Sequence, residues 1–171
     1  MEILLLGNEL LLKKAEPVKN IGPEYQQIAE NLFRVMNQGK GIGLAGPQVG
    51  LMERIFATNI EGDIPRIFIN PSIIETSLEM AKYEEGCLSI PGFYADVIRP
   101  KSVKVQAWNE KGKSFVLEAT GLAARVILHE NDHLEGRLFI DYIPEQKRNQ
   151  IIAKMEKAAL RNAKRSAKND A

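Results

Sequence analysis

Cysteine occurs once in this chain of 171 residues, tryptophan once and histidine only twice. A single cysteine excludes an intramolecular disulfide and suits a reducing compartment, expected here to be the cytoplasm. No stretch approaches the roughly 20 apolar residues that a membrane-spanning helix requires, so a membrane is not an expected partner. DNA is not expected either. The leucine-rich opening Ile3-Leu4-Leu5-Leu6 resembles an export signal only superficially. It has no basic flank and is broken by Gly7-Asn8-Glu9. There is no internal repeat. Hydrophobic residues make up 44% and charged residues 26%, which excludes a disordered chain and fits one globular domain over residues 1–171.

The two histidines fall together, in His129-Glu130-Asn131-Asp132-His133. This matches the HExxH pattern, and on a helix positions i and i+4 share a face, so both imidazoles can reach one metal ion. Glu130 then stands beside the open face of the ion, placed to move protons for a water. The preceding run Gly121-Leu122-Ala123-Ala124-Arg125-Val126-Ile127-Leu128 is mostly apolar and predicts a largely buried helix that Gly136 terminates. Two buried imidazoles and a buried carboxylate need a metal or hydrogen bonds to satisfy them.

A catalytic site of this kind wants three protein ligands and one open position. The extended zincin pattern would place a third histidine where this chain has Phe139. An aspartate, a glutamate or Cys87 remains. A lone cysteine is usually a small buried hydrophobe. The surroundings Glu84-Glu85-Gly86-Cys87-Leu88-Ser89-Ile90-Pro91-Gly92 favour a ligand instead. Gly86 lets the backbone approach closely, and Pro91-Gly92 is read as the turn that ends the segment.

The stretch Gly41-Ile42-Gly43-Leu44-Ala45-Gly46-Pro47-Gln48 fits GxGxxG, a dinucleotide fingerprint. That fingerprint belongs after a strand and at the start of a helix. Here it follows a predicted helix, Pro23 to Gln38, with Tyr25, Ile28, Leu32, Val35 and Met36 on its apolar face, and Pro47 is awkward at a helix start. A glycine-rich extended segment serves better as a backbone edge that pairs with a bound peptide. The Gln48 amide would there be a donor to a developing oxyanion.

Together, GxGxAxxQ, EGCLS and HExxH, in this order, resemble the peptide deformylase family. The resemblance extends from Ile3-Leu4-Leu5-Leu6-Gly7, Leu12 and Ala15-Glu16-Pro17-Val18, through Ile69-Asn70-Pro71, to Gly136-Arg137-Leu138-Phe139-Ile140-Asp141-Tyr142-Ile143. It implies a metal-dependent hydrolase that removes the N-formyl group from the initiator methionine of nascent proteins and releases formate. By resemblance Cys87, His129 and His133 bind one divalent metal, Fe(II) in the cell, with Zn, Ni or Co able to substitute. Glu130 moves the protons, and the Gln48 amide and the Leu88 N–H meet the oxyanion. Ile42, Leu44, Leu122 and Val126 would line a methionine pocket, with Gly43 and Gly86 beside the substrate and the Arg125 stem at the border. Arg99 takes the place of an arginine near the peptide groove, the alternative being a solvated charge at a strand end. One departure stands out: the family usually has a second alanine where this chain has Gly46, a change expected to loosen the loop locally. Two other functions are compatible with the motifs. One is an HExxH metallopeptidase; the other is a non-catalytic member of the same fold retained on the ribosome.

The expected architecture is α+β, with antiparallel strands around a central metal-binding helix and a helix at the C-terminus. Arg54–Thr58, Arg66–Asn70, Val103–Trp108 and Ser114–Glu118 read as strands, the last two joined by a polar turn at 109–113. From Glu145 onward eight basic residues face three acidic ones, whereas the whole chain carries only +1. Ile151, Ile152, Met155 and Leu160 predict an amphipathic helix docked on the body. Its basic outer face would suit ribosomal RNA or, equally, plain solvent.

Overall fold

The alternation read at Val103–Trp108 is the backbone of the main sheet. A computed structural model describes residues 1–171 and builds the sheet from β1 (Gly43–Ala45), β2 (Ile55–Thr58), β3 (Arg66–Thr76), β6 (Ser102–Trp108) and β7 (Ser114–Thr120). Their order is β1-β2-β3-β6-β7, every pair antiparallel. Val103, Val105 and Ala107 point inward from β6. The turn to β7 is held by the Asn109 side chain, whose Oδ1 accepts the N–H groups of Lys111 and Lys113.

β2 is buried on both faces, which explains its unbroken apolar run. Ile55 and Ala57, with Ile67 and Ile69, pack against α1 (Glu24–Gln38) through Leu32, Val35 and Met36. On the other face Phe56 and Phe68 stack at 4.6 Å and meet Ala124 and Ile127 of α2 (Gly121–Leu134). The sheet is thus sandwiched between two helices. Burying a side chain of this size contributes about 1.5–3 kcal/mol, so these two layers supply much of the stability.

β3 runs six residues beyond the expected end at Asn70. The strand continues past a bulge, its outer end pairing with β6. Asn70 takes a left-handed φ of 49°, and its side-chain amide bonds both the N–H and the C=O of Val18 at 2.8 Å, which anchors the bulge.

The strands of the second, two-stranded sheet, β4 (Met80–Cys87) and β5 (Ile90–Pro100), were not anticipated from sequence alone. The turn lies at Leu88-Ser89, between paired Cys87 and Ile90, not at Pro91-Gly92. Gly92 instead sits within β5 at φ 83°, which lets the strand carry an irregularity that an L-residue would resist. This hairpin packs on α2, on the 3-10 turn Phe139–Tyr142 and on α3 (Glu145–Asn169) through Ala95, Val97, Phe139, Ile140, Ile151 and Met155. Of the apolar α3 positions, Ile151 and Met155 are buried and Ile152 packs against them. Leu160 was expected to dock but is 64% exposed. The helix leaves the body before reaching it, and residues 159–171 are all exposed.

Candidate metal centre

α2 is the central element because both of its long faces are covered, and its polar face looks at the end of β4. His129 and His133 lie one turn apart on that face, as the HExxH spacing required. Gly136, at φ 72°, ends the helix, and a Cβ there would meet the Leu12 carbonyl oxygen at 2.6 Å. Cys87 is the last residue of β4. Its Sγ lies 3.4 Å from His133 Nε2, and one ligand atom each from Cys87, His129 and His133 lie within 4.8 Å of one another. Of the candidates that the sequence left open, Cys87 is the one whose donor atom groups with those of both histidines.

Glu85 was quoted in the sequence but given no role, and it organises the site. This carboxylate is 4% exposed. It accepts from His129 Nδ1 at 2.8 Å, from Arg99 Nε and Nη2 at 2.6 and 3.0 Å, and from Arg125 Nη1 at 2.7 Å. Burial pushes its pKa up, but the hydrogen bonds from His129 and Arg99 outweigh burial and hold it well below the usual carboxylate range. Binding Nδ1 fixes the imidazole so that Nε2 faces the cluster, the carboxylate–histidine arrangement typical of metal ligands. Strand periodicity offered the signal: Glu85 and Cys87 are two apart on β4 and share a face.

The two histidines differ. Burial lowers the His129 pKa, but hydrogen bonding to Cys87 and Glu85 more than compensates and raises it well above the ordinary value. Burial and the neighbouring His129 hold His133 well below it. His133 Nδ1 and Glu130 Oε2 are buried without a hydrogen-bond partner. A cysteine and two histidines so oriented, next to a carboxylate oxygen that has no hydrogen-bond partner, fit a divalent ion with one open position.

Burial raises Glu130 to about 7 against the counteracting charge of His129. Its carboxylate lies so close to Gly43 of β1 that any Cβ at position 43 would overlap it. Gln48 is buried in the 3-10 turn Gly46–Val49, where Pro47 fits the first turn without difficulty. Its Oε1 accepts the Ala45 N–H at 2.9 Å, and its Nε2 donates to Ser89 Oγ at 3.1 Å and lies 3.4 Å from Cys87 Sγ. A cavity of about 540 Å³ opens over these groups. Ile42, Gly43, Gly86, Leu88, Leu122 and Val126 all line it, and Arg125 borders it as anticipated. β1 is the outermost strand of its sheet and Gly43 lines the cavity, so an unpaired strand edge, rather than a glycine-rich loop opening a helix, adjoins the cleft.

Three expectations are corrected. Leu44 does not line the cavity: it is fully buried against α1, because alternation along β1 sends it to the opposite face from Gly43. Arg99 lines no groove and is not solvated. It is 4% exposed behind the metal cluster, bridging Glu85 and Asp132 (2.7 Å) with Tyr142 stacked at 4.7 Å from its guanidinium carbon. Inward alternation of Ala95, Val97 and Arg99 puts it there. Gly46 does not loosen its loop either. A Cβ at 46 would meet the Leu51 and Glu53 carbonyl oxygens at 2.6 and 3.0 Å, so the glycine permits closer packing.

Known proteins resemble this chain in sequence and fold. The family model described as polypeptide deformylase matches residues 1–149. A peptide deformylase of Borreliella burgdorferi is 46% identical over 89% of this chain and 93% of its own length. One from Treponema pallidum is 45% identical over 94% of this chain and 98% of its own. Among solved structures, the peptide deformylase of Ehrlichia chaffeensis in complex with actinonin has a TM-score of 0.89 at 34% identity, over 92% of this chain and 96% of that one. That of Legionella pneumophila has a TM-score of 0.88 at 35% identity, over 95% and 96%. No helix of this chain is long and apolar enough to cross a membrane. The chain belongs to the peptide deformylase family, metal-dependent hydrolases that remove the formyl group from an N-terminal methionine.

Proposed function

We propose that Cys87, His129 and His133 hold the metal, and that Glu130, Gln48 and the Leu88 N–H carry out deformylation of nascent N-formylmethionyl chains. The observation that carries this reading is the convergence of the three donors with a buried Glu130 oxygen that has no hydrogen-bond partner, beneath a 540 Å³ cavity. An ion bound there supplies Lewis acidity, which acidifies a water and polarises a carbonyl. Imidazole and thiolate suit several first-row ions, so availability decides among them. Fe(II) is the proposed ion in the cell, with Zn, Ni or Co as substitutes.

The protein's own groups then divide the work. Glu130 takes a proton from the attacking water, whose oxygen bonds to the formyl carbon. The Gln48 amide and the Leu88 N–H donate to the carbonyl oxygen as it gains negative charge. Glu130 returns the proton to the methionine nitrogen as the C–N bond breaks, leaving a free amine and formic acid, which gives up its remaining proton to become formate. The peptide backbone lies along the edge of β1 at Gly43, and the methionine side chain enters beside Leu122 and Val126. Formyl is the smallest acyl group, and the closeness of Gly43 to Glu130 leaves little room for a larger one.

The test is formate release from a formyl-Met-Ala-Ser peptide, with protein purified anaerobically and reloaded with Fe(II). Release that requires both metal and the formyl group is expected. Equal turnover of the unformylated peptide would instead indicate a peptidase, and absence of turnover by the folded, loaded protein would overturn the catalytic assignment.

The projecting end of α3 is proposed to contact ribosomal RNA. Arg161, Lys164, Arg165 and Lys168 lie on its exposed part, where long basic side chains can meet phosphates. Ending the chain after Ala158 removes only exposed residues, so kcat and the melting temperature should not change. Ribosome co-sedimentation at low salt should be lost; if it persists, the contact lies elsewhere.

A further inference from the structure

Gln48 can serve as an oxyanion donor only if its nitrogen, not its oxygen, faces the cleft. Two contacts decide this. The Ala45 N–H donates to Oε1 at 2.9 Å, which assigns the oxygen inward. Of the two amide protons, one is then donated to Ser89 Oγ at 3.1 Å and the other to Cys87 Sγ at 3.4 Å, a sulfur that itself lines the cleft. Ser89 is fully buried and does not line the cavity, so it does not touch a substrate.

We propose that Ser89 is a positioning residue that holds the Gln48 amide in its donating orientation, resting on the assignment of Gln48 as an oxyanion donor. The two loops that carry this pair are joined by the N-terminal segment. The Leu4 N–H donates to the Gln48 carbonyl at 2.7 Å, and the Leu6 N–H to the Ser89 carbonyl at 2.9 Å. In an extended chain, residues two apart present their N–H groups on the same side, roughly 7 Å from one another, which sets the spacing between the loops. Leu4 and Leu6 pack partly buried against the core of the hairpin and α3, and Ile3 against the α1 core, so the strap is anchored on both sides. Without the hydroxyl, the amide would keep its bond to Ala45 but swing about it, and part of the donor's contribution would be lost.

Removing an oxyanion donor typically lowers kcat by about 10²–10³-fold. Ser89→Ala should lose part of this, roughly tenfold in kcat, with KM and metal content unchanged. Ser89→Thr, which keeps the hydroxyl, should retain most of the activity. The deciding measurement is a double-mutant cycle with Gln48→Ala. If Ser89 acts through Gln48, adding Ser89→Ala to Gln48→Ala lowers kcat no further. An independent reading comes from 15N spectra of the zinc-loaded protein. The Gln48 side-chain protons should exchange slowly with water in the parent and rapidly in Ser89→Ala. A silent Ser89→Ala beside a damaging Gln48→Ala, or losses that multiply in the double variant, would overturn the inference. A silent Gln48→Ala would overturn the donor assignment on which it rests.

Discussion

Glu130→Gln is expected to lower kcat for formyl-peptide hydrolysis by about 10³-fold while making the metal-free protein more stable above pH 7. The first effect follows from the role of a positioned proton carrier, which contributes typically 10²–10⁴-fold. Glutamine keeps the shape and cannot take the proton. The second effect follows from burial, which raises the Glu130 pKa from 4.5 to about 7 against the charge of His129. A raised carboxyl pKa means that the folded state holds a proton that the unfolded state has released. Its stabilising contribution is therefore complete below about pH 4.5 and is lost as pH rises to about 7. Above that, the buried charge opposes folding by up to roughly 3 kcal/mol, since each pKa unit corresponds to about 1.4 kcal/mol. Glutamine has no such charge. Urea unfolding of both metal-free proteins at pH 5 and pH 8 checks this: a gain at pH 8 that shrinks at pH 5 is expected, and an equal gain at both would contradict it.

The second large effect is expected at Glu85, which binds His129 Nδ1 and stands outside the Cys87, His129 and His133 donor set. Glu85→Gln leaves the Arg99 and Arg125 guanidinium groups buried beside a neutral amide. Breaking a buried ion pair by removing one partner costs about 3–5 kcal/mol. The sign with pH is opposite to that at Glu130. The His129 and Arg99 contacts outweigh burial and hold the Glu85 pKa low, so its stabilisation is full above the normal carboxylate range and is lost only as pH falls below that range to the lowered folded value. The variant and the parent should therefore converge in acid. The loss also reaches the metal. His129 loses the anionic partner on Nδ1, and such changes typically weaken metal affinity by about 10–100-fold. Competition with a zinc chelator measures this directly. Unchanged affinity in a folded variant would show that the Glu85 bond orients His129 without tuning it.

The same buried network shows where reading the sequence stopped. Arg99 was placed at a peptide groove by resemblance, with a solvated charge at a strand end as the alternative. Its inward position follows from the register of β5 with β4, where Arg99 pairs with Ala81 and faces α2. That register could not be deduced while neither strand was anticipated and Pro91-Gly92 was read as the end of the segment. Leu44 failed for a related reason. In a short strand one residue decides the face, and β1 puts Gly43 toward Glu130 and Leu44 toward α1. Leu160 continued an apolar spacing that periodicity can detect, but periodicity does not say how far along a helix the body extends.

What the sequence determined by itself is local or repeated. The i, i+4 spacing of His129 and His133, the neighbouring Glu130, the terminating Gly136 and the alternation of β6 all arise from the geometry of a single element. Three short motifs in a fixed order then identified the family without any long-range contact. Only the tertiary structure decided which buried charge meets which. Glu85, Arg99, Arg125, Asp132 and His129 come from two strands and a helix, and nothing in their spacing along the chain encodes that they converge. The physical reason is that burial makes an unpaired charge very unfavourable. Once the hairpin closes over α2, these groups must satisfy one another, and in doing so they orient His129, a candidate ligand that the sequence had already named.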